Sequence, residues 1–183
     1  MTNASIVTST GIYFDILETT LDMISIEDIA HATSQMNRFT GHCRFPYPVS
    51  QHSRLGSYLV PRHLALRFLL HDGSEAYLGD MNRPMKHFTG AGKEYQIVEA
   101  RIQGLIYNKF GLDAEEPEEI HDIDNQMLYA EKAQVMPPTP WGTKWSKDCK
   151  AADVKIWETP FHVNKTLFLA RFSDITNYGG PQH

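Results

Sequence analysis

Cysteine is scarce: Cys43 and Cys149 are the only two in 183 residues. That excludes a disulfide framework, and their spacing excludes a metal finger. Basic charge is also in short supply, with 17 Lys and Arg against 22 Asp and Glu for a net charge of −5, so a nucleic-acid polymer is not the expected partner. No apolar run approaches the roughly 18 residues that a membrane span requires. The first residues, Met1-Thr2-Asn3-Ala4-Ser5, lack the basic start and apolar stretch of a secretory leader. A cytoplasmic protein without membrane contact is the expectation, in the host cytoplasm if the source is viral. No repeat or low-complexity segment is visible. What remains is ordinary globular composition, 42% hydrophobic and 21% charged. One domain over residues 1–183 fits that length, with its core at about 25–135.

The most informative stretch is Phe68-Leu69-Leu70-His71-Asp72-Gly73-Ser74-Glu75-Ala76-Tyr77-Leu78-Gly79-Asp80, four ionisable groups directly after an apolar run. Continued as one helix from Pro61 to Leu78, it puts His71, Asp72 and Glu75 on one face. His52 lies on the preceding helical stretch, and Asp124 on a later one. Two His and two Asp form a nitrogen and oxygen donor set suited to a divalent cation, with room for water. The expectation is metal-dependent hydrolysis. Two of the ligands have an alternative reading: His52 shares a face with Leu55 and Leu59, where a satisfied core histidine is common, and Asp122 rivals Asp124.

The other elements follow from periodicity and punctuation. Gly11 to Thr20 is β-branched and aromatic, which suggests a short strand or hairpin appended to a helical body. Ser25 and Asp28 form a near capping box for a helix over residues 26–36. Arg38 and Phe39 then sit in a loop, either as a snorkelling cation and a core ring or as contacts to a base or ribose. Further helices are expected over 51–60, 95–110, 120–133 and 161–172, with a polar loop at Asn82–Lys86. Gly90-Ala91-Gly92-Lys93 imitates a phosphate loop but fails it: His87 stands where Gly is needed, and Glu94 where Ser or Thr is needed. The proline-rich stretch Met136 to Pro140 and the aromatic loop Trp141 to Trp145 precede the last helix, and this loop and helix are expected to pack on the core.

Taken together, these motifs resemble the HD-domain phosphohydrolases, the all-helical superfamily named for its His-Asp doublet. The branch most similar holds the bacterial 5'-deoxynucleotidases and phage relatives, among them the DatZ dATP triphosphohydrolases. The likeness is carried by Ile26 to Ala32, Arg38 to His42, Val49 to Ser53, His71 to Asp80, Pro84 to Lys86, Asp124 and Glu131-Lys132. The resemblance implies an all-α HD bundle with a short N-terminal strand or hairpin. It implies that His52, His71, Asp72 and Asp124 hold a divalent ion (Zn, Co, Mn or Mg), and it favours Asp124 over Asp122. Glu75 becomes the catalytic acid/base, with Asp80 beside it contacting or orienting the sugar. Arg38 and Lys86 are expected at phosphate, and Phe39 stands where relatives often carry Trp, against base or ribose. The implied substrate is a small deoxynucleotide, with dATP cleaved to deoxyadenosine and triphosphate ahead of dNMP cleavage. The alternative of another class is a non-catalytic nucleotide sensor. A homo-oligomer, dimer or hexamer, is the implied assembly.

Overall fold

The computed structural model describes residues 4–113, 115, 117–138 and 149–177. It is mostly helical, with one small antiparallel hairpin. Strands β1 (Ser5–Val7) and β2 (Tyr13–Asp15) pair with Ile6 opposite Phe14. Eight α-helical segments follow among the described residues: α1 (Ile26–Gln35), α2 (Val49–Gly56), α3 (Ala65–Leu70), α4 (Glu75–Leu78), α5 (Arg83–Phe88), α6 (Gly90–Lys109), α7 (Glu118–Gln134) and α8 (Phe161–Asn177). No described helix is long and apolar enough to cross a membrane.

Helix α3 is the hub, because consecutive apolar residues cover more than one face of it. Phe68 enters one hydrophobic cluster with Tyr47, Leu55, Met127 and Ala130. Leu69 and Leu70 enter a second, with Phe14, Ile29, Tyr77, Ile102, Ile106 and Phe168. Helix α2 packs on α3 and α7, and α8 lies across α1, α2 and α3. The polar site forms where α3 ends, between the two clusters.

Several local expectations are corrected by this packing. The helix expected from Pro61 to Leu78 is broken: a 3₁₀ turn spans Arg62–Leu64, α3 stops at Leu70, and residues 71–74 lead into α4. Bonds from Glu75 N to Asp72 O (3.2 Å) and Tyr77 N to Ser74 O (3.0 Å) show the tighter three-residue winding there. In such winding residues three apart stack in line, so Asp72 and Glu75 stay neighbours though the α-helix is lost. The capping box does not form, since Ser25 makes no side-chain cap. Asp28 instead accepts Ser9 Oγ at 2.6 Å, Thr10 Oγ1 at 2.7 Å and Thr10 N at 2.9 Å, and so holds the hairpin loop. Burial opposes the Asp28 charge, yet those hydrogen bonds outweigh it and lower its pKa.

The hairpin is therefore no appendage. Its strands bracket Gly11 rather than following it, and Phe14 is fully buried, stacked on Tyr77 with centroids 3.9 Å apart and planes 9° from parallel. The expected loop at Asn82–Lys86 is the start of α5, capped by Asn82, whose side chain accepts Met85 N. Helix α2 ends at Gly56 rather than residue 60, α6 begins at Gly90 rather than 95, and α8 continues to Asn177. The Trp141 to Trp145 loop lies outside the described residues.

Candidate functional site

His52 on α2 points into the gap between α3 and α7 and is fully buried. Its Nδ1 lies 2.6 Å from Glu131 Oε1. Its Nε2 lies 3.2 Å from Asp124 Oδ1, 3.3 Å from His71 Nε2 and 3.8 Å from Asp72 Oδ2. His71 Nδ1 is 2.6 Å from the Phe68 carbonyl. A carbonyl only accepts, so His71 carries its proton on Nδ1 and turns Nε2 towards Asp72 Oδ2 (3.3 Å) and Asp124 Oδ1 (3.9 Å). His52, His71 and Asp72 form a compact set of donor atoms, with Asp124 against both histidines.

These separations fit one ion. Bonds of about 2.0–2.2 Å to nitrogen and oxygen place neighbouring ligand atoms roughly 3–3.6 Å apart, close to most of the distances found. Charge fits as well: two carboxylates offset a divalent cation, and both imidazoles present their outer nitrogen. The four expected ligands thus converge from two helices, α2 and α7, and the turn after α3. Asp122, the rival, is exposed on α7, whereas Asp124 faces the histidines.

The charges around this centre act on one another. Burial and the Arg38 charge press the His52 imidazolium pKa down, but Glu131 and Asp124 outweigh them and hold it at about 9. Burial also works against the Asp124 carboxylate, and His52, His71 and Arg38 together lower its pKa far below the usual range. Glu75 behaves oppositely. Burial first, then the Asp72 and Asp80 carboxylates, push its carboxyl well above its ordinary value. Its Oε2 is buried with no hydrogen-bond partner among the described residues. The sequence left the direction of this shift open, and burial decides it.

The two expected phosphate contacts already hold carboxylates. Arg38, in the turn after α1, reaches Asp72 Oδ2 through NH1 at 3.2 Å and stands 3.3 Å from Glu131 Oε2 through Nε. Lys86 Nζ meets both oxygens of Glu99, at 2.7 and 2.6 Å. The lysine is placed by close helix contact: a Cβ on Gly92 would come within 2.2 Å of the Met85 carbonyl oxygen and 2.3 Å of that of Lys86. Gly92 of the Gly90-to-Lys93 stretch thus serves the α5–α6 corner rather than a phosphate loop. Phe39 is half-buried against the first cluster, and it and Thr40 adopt left-handed φ of 56° and 55°. Two consecutive non-glycine residues there store backbone strain beside Arg38.

Asp80 borders a cleft of about 230 Å³ lined also by Thr40, Gly79, Asn82 and Tyr95. Burial is the main cause of its raised pKa. Tyr95 donates to the Gly79 carbonyl at 2.6 Å and closes one side. The group that the residue-by-residue reading passed over is Glu131. Its signal was present: it follows Asp124 by seven residues, two helical turns, and so shares its face.

No family model matches the chain. It is 41% identical over 91 residues to the uncharacterized protein YfdR of Escherichia coli, covering 50% of this chain and 49% of that one. An uncharacterized protein of Rhodobacter capsulatus is 35% identical over 113 residues, 57% of each chain. A 5'-deoxynucleotidase of Vibrio cholerae is 31% identical over 111 residues, 60% of this chain and 52% of the relative. The matched segments thus span about half the length of these curated relatives.

Proposed function

We propose that the protein is a divalent-metal-dependent phosphohydrolase of deoxynucleotides, acting through His52, His71, Asp72 and Asp124. The observation that carries this reading is the convergence of two imidazole Nε2 atoms and two carboxylates, with the buried Glu75 carboxyl one turn on from the doublet. The similarity to a 5'-deoxynucleotidase supports the substrate class.

A divalent ion supplies Lewis-acid chemistry when bound: it offsets phosphate charge and lowers the pKa of water. The chain does the rest. Glu75, whose carboxyl pKa is raised by burial and by the Asp72 and Asp80 carboxylates, can exchange a proton through Oε2 with the leaving sugar oxygen or with water. Arg38 and Lys86 exchange their carboxylate partners for phosphate oxygens. Asp80 and the cleft beside it receive the sugar, and Phe39 offers a ring to base or ribose.

The sequence reading puts dATP first, cleaved to deoxyadenosine and triphosphate. The Vibrio cholerae relative favours a second reading, cleavage of dNMP to deoxynucleoside and phosphate. Incubation with dATP or dAMP and Mn, Co, Zn or Mg separates them: triphosphate from the first supports one, orthophosphate from the second the other. Nucleotide binding without product under every condition turns the reading into that of a sensor. A cytoplasmic homo-oligomer, dimer or hexamer, belongs to the same proposal, with sedimentation as its test.

A further inference from the structure

Glu131 is completely buried, the most enclosed carboxylate among the described residues. A charge removed from water is costly, and apolar residues commonly fill such positions at no loss of stability. Its contacts give it a purpose. Oε1 accepts from His52 Nδ1 at 2.6 Å and from Tyr47 Oη at 2.9 Å, while Oε2 faces Arg38 Nε at 3.3 Å. Tyr47 is itself fully buried. Oε1 thus takes both hydrogen bonds, while Oε2 meets Arg38 as an ion pair without a hydrogen bond.

We propose that Glu131 is a positioning residue that sets two working groups at once. By accepting from His52 Nδ1 it keeps the proton there and leaves Nε2 for the shared centre with His71 and Asp124. By facing Arg38 Nε it fixes the guanidinium so that NH1 points at Asp72. Helix α7 thus supplies Asp124 directly and, two turns later, the carboxylate behind His52. Outer carboxylates of this kind orient metal-binding histidines and raise their basicity. The inference rests on the reading of His52 as a ligand, and its test separates the two.

The first readout needs no metal. In ion-free protein the His52 Nδ1 proton gives a far-downfield, exchange-protected resonance in a ¹H–¹⁵N spectrum. Glu131→Gln moves it upfield, because a neutral amide oxygen accepts more weakly than a carboxylate. The second readout is Co(II) affinity by chelator competition, weakened about 10–100-fold in Glu131→Gln. Tyr47→Phe removes the other donor to the same oxygen and leaves both readouts near those of the parent. Should Glu131→Gln fail to fold, Glu131→Asp keeps the charge but retracts it from Nδ1, with the same expected changes. An unmoved Nδ1 resonance overturns the role, as does equal loss of Co(II) in Tyr47→Phe. A parent that binds no Co(II) refutes His52 as a ligand, while the resonance still decides whether Glu131 orients it.

Discussion

Gly56 on α2 lies directly against the ring of Phe68 on α3: a Cβ there would sit 2.0 Å from Cε1 and 2.4 Å from Cζ. Phe68 is fully buried, and its ring centroid is 4.5 Å from that of His71. One missing methyl therefore sets the spacing between the helix of His52 and the doublet that follows α3.

Gly56→Ala is expected to force the Phe68 ring towards His71. Overpacking of this kind costs about 1–3 kcal/mol. The urea midpoint falls accordingly, and Zn affinity falls with it because His71 is displaced. An unchanged affinity in a destabilised variant would show that the histidine wall does not depend on this contact.

The stack of Phe14 on Tyr77 ties the hairpin to α4, which begins at Glu75. Tyr77 Oη also accepts from Ser25 N at 3.1 Å, at the start of α1. Phe14→Ala is expected to cost about 3–5 kcal/mol, as for other buried aromatic rings. Hydrogen exchange should rise in β2 and in α4 together. Faster exchange in β2 alone would mean that the hairpin melts independently.

Asp124→Asn and Asp122→Asn form a matched pair two residues apart. The first is expected to lose tight divalent binding and deoxynucleotide turnover, since its carboxylate touches His52 and His71. The second, exposed, keeps both. Isothermal titration with Zn or Mn measures the difference, and equal affinities would remove Asp124 from the ligand set.

Ion-free protein should lose stability as pH rises from 6.5 through 9. The folded His52 value of about 9 lies above its ordinary 6.5. Its imidazolium therefore stabilises fully below 6.5, and that contribution fades through 9; the shift corresponds to on the order of 3 kcal/mol. The lowered Asp124 and Glu131 values act elsewhere, adding stability above the ordinary carboxylate range that is lost in acid. Urea titrations at pH 6, 7.5 and 9.5 check this against His52→Gln, which should lack the alkaline fall. Divalent affinity should climb over the same interval, because an ion must displace the His52 proton.

Much of the site was legible in the residues themselves. An apolar run leading into His71-Asp72, a histidine on an apolar face at 52 and a carboxylate in the apolar pattern of α7 are local features, and each survives folding. Neighbouring residues settle such features, so spacing alone exposes them. Glu131 was harder to assign, since a glutamate on an amphipathic helix usually faces water; only Tyr47, His52 and Arg38, each more than 75 residues earlier, turn it inward.

Helical character and the order of the elements that carry His52, His71-Asp72 and Asp124 were set by the sequence, through propensity and periodicity that act within a few residues. Tertiary packing decided the rest: the break after Leu70, the docking of Phe14, the placing of Asp124 rather than Asp122 against the histidines, and the raised pKa of Glu75. Those outcomes depend on burial and on charges brought together from distant segments. The chain acquires such energies only when α2, α3 and α7 close around one another.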